Sequence, residues 1–460
     1  MPLRIANAAG FWGDNLDAPR LTVAQSQAGD APLHYLTLEY LAELTMSVLA
    51  RLKQKNPQAG YATDFITVLT SLLPTWPEHE NLKIVTNAGG VNPLACVRAA
   101  GKVLHAAGRG NTTLALMAGD DLLPRIPELL AAGNPFINLD TGAPLSSLSA
   151  PLVAANAYLG AQPIVAALAQ EAQIVITGRV ADASLCVGPA MHEFGWKWDD
   201  WPRLAAATVA GHLIECGAQV TGGYLDEYQD INLADVGYPV AELDAHGDVV
   251  ITKPPGTGGA VTTTTVAAQL LYEIGDPANY LTPDICANFA TVELQRRGAD
   301  RVGVIGCGGT PPTDFYKVSL AYAAGYTATG QLLVWGPDCV TKARACADIL
   351  RHRVEKAGAK LRQFHVECLG TGVGVPGGVS GATPPEVVLR ITAAADTPQA
   401  VERFTREFAP LITSGPAGLA GYAAGKPEVR PCYAYWPTLV PKDLCTPTIE
   451  VKSASQWAIE

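Results

Sequence analysis

An apolar, β-branched run from Ile174 to Thr177 breaks into Gly178-Arg-Val-Ala-Asp-Ala-Ser184. A buried strand that ends in Arg179, Asp182 and Ser184 has the form of one that delivers polar groups to a site, since such groups are costly to bury unless paired or bound. Arg179 could grip a substrate carboxylate or phosphate, and Asp182 could act as acid, base or metal ligand. An internal Arg179–Asp182 pair that only fixes the turn is an equal alternative. Gly119-Asp-Asp121 sets two carboxylates beside another strand end. One of them could have a raised pKa, or Asp120 and Asp121 together could hold Mg²⁺, while helix capping by one Asp is the plainer reading. Asn87-Ala-Gly-Gly-Val-Asn-Pro93 offers the Asn87 side chain and the Gly89 and Gly90 amides to an oxyanion, although a tight turn that needs glycine explains it as well. In Lys253-Pro-Pro-Gly-Thr-Gly-Gly259, Lys253 with Gly256 and Gly258 is placed to neutralise a phosphate. Neither glycine corner has the Rossmann or P-loop order.

Two further groupings carry weaker signals. His212-x-x-Glu215-Cys216 lacks the second His of a zincin motif, so metalloprotease chemistry is set aside. Cys216 lies in an Ala- and Leu-rich helix, where a free Cys is usually an inert small hydrophobe. No G-x-S-x-G elbow is present, which argues against an α/β-hydrolase.

The elements that must position these residues alternate. A short apolar strand, a polar or glycine corner and an Ala/Leu-rich helix recur through the first half, with strands expected at Arg4–Ala9, Leu33–Leu38, Leu82–Thr86, Thr113–Met117, Val153–Tyr158 and Ile174–Thr177. A helix-like segment is expected up to Ala28, and a helix from Glu39 to Leu52 with Leu41, Leu44, Val48, Leu49 and Leu52 on its buried face. Six βα units predict a largely parallel sheet with ligands at the carboxyl ends of its strands. An open doubly wound sheet is favoured over a barrel-like closure, because six units are found where a barrel needs eight. After about residue 225 the strands alternate apolar and polar side chains. Asp314–Ala323 and Thr327–Trp335 read as an antiparallel hairpin through Ala324-Gly-Tyr. Amphipathic helices are expected at Thr262–Ile274, Val340–Ala357 and Pro398–Phe408, and the Gly-rich stretch Leu369–Ala382 reads as a loop. The division predicted is a parallel α/β domain at 1–224 carrying the site and an α+β domain with an antiparallel sheet at 225–460.

Composition bounds the function classes. With 460 residues, 48% hydrophobic and 16% charged, the chain is long enough for two cores and too apolar for disorder. A net charge of −11 and the lack of a basic stripe exclude a general nucleic-acid binder. No apolar run is long enough to span a bilayer, and residues 1–14 make a poor signal peptide. Ten scattered Cys without a C-x-x-C pair suit a reducing compartment, so a cytoplasmic location is expected.

Taken together, Asn87-Ala-Gly-Gly-Val-Asn-Pro93, Gly119-Asp-Asp121, Ala155-Asn-Ala-Tyr-Leu-Gly160, Ile176-Thr-Gly-Arg-Val-Ala-Asp182, His192-Glu-Phe-Gly-Trp196, the run Gly211 to Gly223 and Thr252-Lys-Pro-Pro-Gly-Thr-Gly-Gly259 resemble the acyclic terpene utilisation family. Tyr280-Leu-Thr-Pro-Asp284 and Tyr435-Trp-Pro437 extend the resemblance over nearly the whole chain. It implies a role in the degradation of branched acyclic isoprenoids beside acyl-CoA carboxylases and hydratases, without an established reaction. Some family members carry a further small C-terminal domain, whose role is expected to be absent here or supplied by another chain.

The expectation that follows is lyase or hydratase chemistry on a branched, carboxylated acyl substrate carried as a CoA thioester. Arg179 would hold a carboxylate, Asp182 or Asp120 would move a proton, and Asn87 with Gly89 and Gly90 would stabilise an enolate-like oxygen. Asn156, Tyr158 and Ser184 would line the site, and Lys253 with Gly256 and Gly258 would meet a phosphate of the carrier. Alanine at Arg179 is expected to abolish turnover or substrate binding with the fold intact. The alternatives are a metal-assisted hydrolase of an amide, ester or thioester, and a non-catalytic partner of an acyl-CoA carboxylase. A homo-oligomer is expected, an isologous dimer being the commonest form.

Overall fold

The computed structural model describes residues 2–27, 32–75, 81–377 and 384–459. Ala28, where the first helix was expected to end, and residues 378–382 of the Gly-rich stretch lie outside the described residues. Six strands form where the alternation places them: β1 (Leu3–Asn7), β2 (Tyr35–Leu38), β3 (Lys83–Thr86), β4 (Thr113–Ala118), β5 (Leu152–Ala157) and β6 (Ile174–Thr177). Eight more follow: β7 (Val240–Leu243), β8 (Val249–Thr252), β9 (Tyr280–Leu281), β10 (Cys286–Asn288), β11 (Glu293–Gly298), β12 (Arg301–Ile305), β13 (Gly308–Thr310) and β14 (Phe315–Trp335). The last five are β15 (Gln363–Leu369), β16 (Glu386–Ala395), β17 (Leu419–Tyr422), β18 (Arg430–Pro441) and β19 (Thr448–Ser453).

β1, β2, β3, β6 and β4 lie side by side in that order and pair in parallel. β1, β2 and β6 are buried throughout their length, which suits parallel strands covered on both faces. Ile84, Ile174 and Leu36 of these strands share a core with Phe65 and Leu69 of the helix Asp64–Leu72 and with Cys96 and Val97 of the helix Pro93–Ala106.

The expected doubly wound parallel sheet needs correction at three points. β5 follows the Pro-rich interruption and leaves the sheet to pair with β14, because the edge of β4 away from β6 is taken by antiparallel β19. On the other side, β7 pairs antiparallel with β1, and β8, β12 and β11 extend the sheet in antiparallel fashion. The result is a mixed ten-stranded sheet whose order runs from β11 to β19 without closing, so a barrel is not formed. β9, β10 and β13 make a small separate antiparallel sheet.

The chain separates into two compact units, one of residues 1–321 with 435–460 and one of residues 322–434. The strands β7, β8, β11 and β12 therefore complete the first unit, and the division does not fall at the expected residue 224. In the second unit, β15, β16, β14 and β17 form an antiparallel sheet in that order. Val387, Leu389 and Ile391 alternate along β16 into a core with Leu350 of the helix Cys339–Lys356, Phe404 of the helix Pro398–Arg406 and Phe408 of the helix Phe408–Ser414. The expected hairpin at 314–335 is instead one strand, β14, with Gly325 at φ +82°. A Cβ there would strike the carbonyl of Ala395, so glycine lets the strand pass its partner rather than turn.

The helix expected at Glu39–Leu52 runs over Glu43–Lys55, and it buries Met46, Ser47, Leu49 and Ala50 while Leu44 is 70% exposed. Glu43, on the same side of the helix as Met46, Ser47 and Ala50, accepts from Tyr158 and Lys317. Among the described residues, no helix is long and apolar enough to cross a membrane.

Candidate active site

The carboxyl ends of the parallel strands supply a buried polar cluster. β2 runs directly into Glu39, β3 into Asn87, β4 through Ala118 and Gly119 to Asp120, and β6 through Gly178 to Arg179. Arg179 is 2% exposed. Its Nη1 donates to the carbonyl of Leu41 at 2.7 Å, its Nη2 lies 2.8 Å from Asp182 Oδ1, and its guanidinium stacks 4.1 Å from the centre of the Tyr158 ring. Glu39 Oε1 lies 3.7 Å from Nη1, so one guanidinium serves two carboxylates. Burial favours the charged guanidinium least of all, yet Asp182, Tyr158 and Glu39 outweigh it and hold Arg179 firmly protonated.

Glu39 and Asp182 share that single cation. Burial first, and then the charge of Asp182, pushes Glu39 well above the usual carboxylate range against the opposing pull of Arg179 and Asn87. Asp182 also moves up, by burial and by repulsion from Glu215 and Glu43, with Arg179 acting against the shift. One proton shared between the two acids would leave the cluster neutral. The two differ in access: the Glu39 side chain is 6% exposed and that of Asp182 is 34% exposed. Asp182 is thus the end of the cluster that a substrate can reach.

Asp182 opens into a cleft of about 690 Å³. Glu43, His212, Glu215, Tyr272, Tyr280 and Lys317 line the same cleft. Burial opposes ionisation of Glu43, but the Tyr158 hydroxyl, donating at 2.7 Å, and Lys317, at 3.2 Å, hold its carboxyl down at about 2. His212 is buried, with Nε2 at 3.0 Å from the carbonyl of Gln269 and Nδ1 at 3.1 Å from Glu215 Oε1. Both neighbours are acceptors, which suits an imidazolium donating from both nitrogens. Burial disfavours that charge, yet Glu215 and the backbone carbonyls prevail and raise the His212 pKa. Glu215 Oε2 is buried and has no hydrogen-bond partner among the described residues. Tyr280 is kept a neutral phenol by burial and by the nearby carboxylates, and burial with Glu273 pushes Tyr272 up to about 12. Cys216 also lines the cleft, and burial pushes its thiol up to about 12, in keeping with an inert Cys.

The other expected site residues fall behind the cleft or away from it. Asn87 donates to Glu39 and accepts the backbone N–H of Tyr40 at 2.8 Å, so it orients Glu39. The Gly89 and Gly90 region is a tight turn: the Gly90 N–H is bonded to the carbonyl of Asn87, and a Cβ at Gly89 would collide with the carbonyl of Thr177. Asp120 Oδ2 accepts both the Arg179 N–H at 2.9 Å and Asn156 Nδ2 at 2.8 Å, and a Cβ at Gly178 would strike the same carboxylate. Asp121 Oδ1 takes the N–H of Leu123 at 3.0 Å. One oxygen of each carboxylate is thus used within the protein, Asp120 Oδ2 on Arg179 and Asn156 and Asp121 Oδ1 on Leu123. Among the described residues, no group of three or more His, Cys, Asp or Glu side chains is placed to hold a metal ion. Ser184 donates to Asp284 at 2.6 Å, which fixes the start of the helix Ser184–Phe194. Lys253 is paired with Asp300 at 3.1 Å and donates to the Thr257 carbonyl at 2.8 Å, while the Gly258 N–H is bonded to Asp235. That corner, Gly256 included, does not line the cleft.

Asp120 provides a stability test of this arrangement. Burial lifts its carboxyl from 3.8 to about 6, against the two hydrogen bonds it accepts. A folded-state pKa above the unfolded one contributes stability at low pH that is lost as pH rises through the folded value, here between about pH 4 and about pH 6. Two units correspond to on the order of 3 kcal/mol. Asp120→Asn can place its carbonyl oxygen at the Oδ2 position and keep both bonds. It is expected to gain stability relative to the wild type as pH rises across that window, measured by urea unfolding at each pH. A constant difference would place the titration elsewhere.

Glu39, Glu43, His212, Glu215, Tyr280 and Lys317 were not picked out as site residues in the sequence. Glu39 follows a strand end as Arg179 does, and the same rule would have found it. His212 and Glu215 were visible as a motif but lacked a metal-binding form. The sequence model of the family described as acyclic terpene utilisation family protein AtuA matches residues 3–451. The chain belongs to the acyclic terpene utilisation family. No curated protein and no solved structure matches it. The family match spans every residue of the cleft, from Gly10 to Leu439.

Proposed function

We propose that the cleft is an enzyme active site for acid–base chemistry of the lyase or hydratase type. Its substrate in this reading is a branched, carboxylated acyl group of acyclic isoprenoid breakdown, carried as a CoA thioester. The observation that carries the proposal is Asp182, the accessible end of an otherwise buried Glu39–Arg179–Asp182 cluster. A carboxylate raised above its usual range is a better base at neutral pH, and its fixed partner holds it in one orientation.

In this mechanism Asp182 takes the proton from the carbon beside the thioester carbonyl as a hydroxyl leaves the next carbon, and in the reverse direction it returns that proton to the same carbon as water adds to the next one. The developing enolate oxygen receives a hydrogen bond from the neutral phenol of Tyr280. Glu215, with one oxygen held by His212 and the other unpartnered, exchanges the proton of the departing or arriving hydroxyl. Arg179 acts as a positioning residue in this reading, with Nη1 on the Leu41 carbonyl and Nη2 on Asp182. Lys317 at the cleft, 45% exposed, meets the substrate carboxylate.

Ligand binding tests the substrate class. A ligand held at a hundred times its Kd stabilises the native state by about 2.7 kcal/mol. A branched acyl-CoA is therefore expected to raise the Tm by several degrees, with free CoA giving less. No shift with any acyl-CoA, straight or branched, would remove the thioester from the proposal.

A further inference from the structure

The cleft does not end at its polar floor. Leu139, Phe315 and Leu439 line it, and the same three side chains line a second cavity of about 440 Å³ that also takes in Ile137, Pro441 and Leu444. Among the described residues, no charged side chain lines this second cavity. Leu139, Phe315, Leu439 and Ile137 are 53%, 44%, 41% and 39% exposed, respectively, so a contiguous apolar surface faces solvent. Contiguous apolar surface on a folded protein commonly marks a binding site, whereas scattered single residues do not.

The walls are built rather than loose. The Leu139 N–H donates to the carbonyl of Pro437 at 2.9 Å, and Trp436 Nε1 donates to the carbonyl of Phe136 at 3.0 Å. The Lys442 N–H is bonded to the carbonyl of Asp314 at 2.9 Å. Three segments distant in sequence are thereby tied together, with their side chains forming a preformed groove. A preformed apolar groove binds a flexible chain with less ordering cost on the protein side.

We infer that this groove is the subsite for the hydrocarbon tail of the substrate, with the reacting polar end at Asp182 and the tail leaving past Leu139, Phe315 and Leu439. The inference rests on the acyl substrate proposed above. Continuity with the polar cleft selects this occupant, because one molecule with a polar end and an apolar end fills both. The lack of charged residues suits a chain with no hydrogen-bonding groups of its own.

The test is a chain-length series of acyl-CoA thioesters, short to long, titrated against wild type and against Ile137→Asp and Leu444→Gln. Those two side chains line only the groove. Wild-type affinity is expected to rise about fourfold per added methylene until the groove is filled, the factor that burying one CH₂ supplies. Both variants are expected to flatten that rise while binding the shortest thioester as the wild type does, with an unchanged Tm showing that they fold. An unchanged length dependence in folded variants would overturn the tail site and leave the acyl reading standing. If the wild type binds thioesters without any length dependence, the groove is likewise not the tail site. Failure of the wild type to bind any of them would overturn both.

Discussion

Asp182→Asn is expected to lose about 10²- to 10⁴-fold in turnover of its acyl substrate, the range that a positioned acid or base contributes. The amide keeps the shape of the carboxyl group but cannot accept a proton. The fold is expected to survive. Asp182 is one-third exposed, and Arg179 keeps its bond to Leu41, its stacking on Tyr158 and its proximity to Glu39. Loss of the Asp182 charge leaves Glu39 as the counter-charge of Arg179, so a smaller Tm loss than that of Arg179→Ala is expected. The wild-type pH–rate profile is expected to rise on its acid side at a higher pH than an unperturbed carboxylate would give. The Asn variant should lack that limb. A variant with wild-type turnover would move the base elsewhere, and Glu215 would be the next residue to replace.

Arg179→Ala is expected to act on the fold rather than on the chemistry alone. The side chain is buried, lies between Glu39 and Asp182, and stacks on Tyr158. Its removal leaves buried carboxylates without a counter-charge and the Leu41 carbonyl without its donor. Breaking a buried ion pair from one side costs roughly 3–5 kcal/mol. That is a large part of the roughly 5–15 kcal/mol that holds a typical protein folded. A Tm loss on the order of 10 °C is expected, measured by calorimetry or thermal unfolding followed by circular dichroism. Arg179→Lys should recover part of that loss through its charge. It cannot reproduce the two-pronged hold on Leu41 and Asp182, so activity should stay low. An alanine variant with wild-type stability would contradict the buried cluster. The expectation from sequence was loss of turnover or substrate binding with the fold intact; the 2% exposure of Arg179 adds a cost to the fold.

The difference between those two residues shows what could be read from the sequence and what could not. Apolar strands with polar ends were legible because a buried strand has a local pattern, and all six early strands form close to their expected places. The strand-end rule also led to Arg179 and Asp182, which line the cleft. Which polar side chain faces the cleft was not legible, because it depends on rotations and on partners far away in sequence. Asp182 and Arg179 are three residues apart and both line the cleft, yet the Asp182 side chain is 34% exposed and that of Arg179 2%. His212 and Glu215 join the cleft through the helix Trp201–Glu215, which carries no strand-end signal. Asn87 and Asp120 stand at strand ends as Arg179 does, and both turn back to brace the polypeptide.

Sheet topology was lost for a related reason. β5 has the same local pattern as its neighbours, and nothing within it records that β19, almost three hundred residues later, occupies the edge of β4. The hairpin expected at 314–335 failed on a single glycine. Gly325 reads locally as a turn, whereas its need for a positive φ comes from the close approach of Ala395. Long-range pairing decides both cases.

Proton exchange between solvent and the carbon beside the thioester carbonyl tests the central claim most directly. A branched acyl-CoA is incubated with the protein in D₂O, and deuterium incorporation is followed by mass spectrometry. The wild type is expected to exchange that proton catalytically, with the exchange lost in folded Asp182→Asn. No exchange above the buffer rate with the wild type, or equal exchange by both proteins, would contradict the assignment of Asp182 as the base in this cleft.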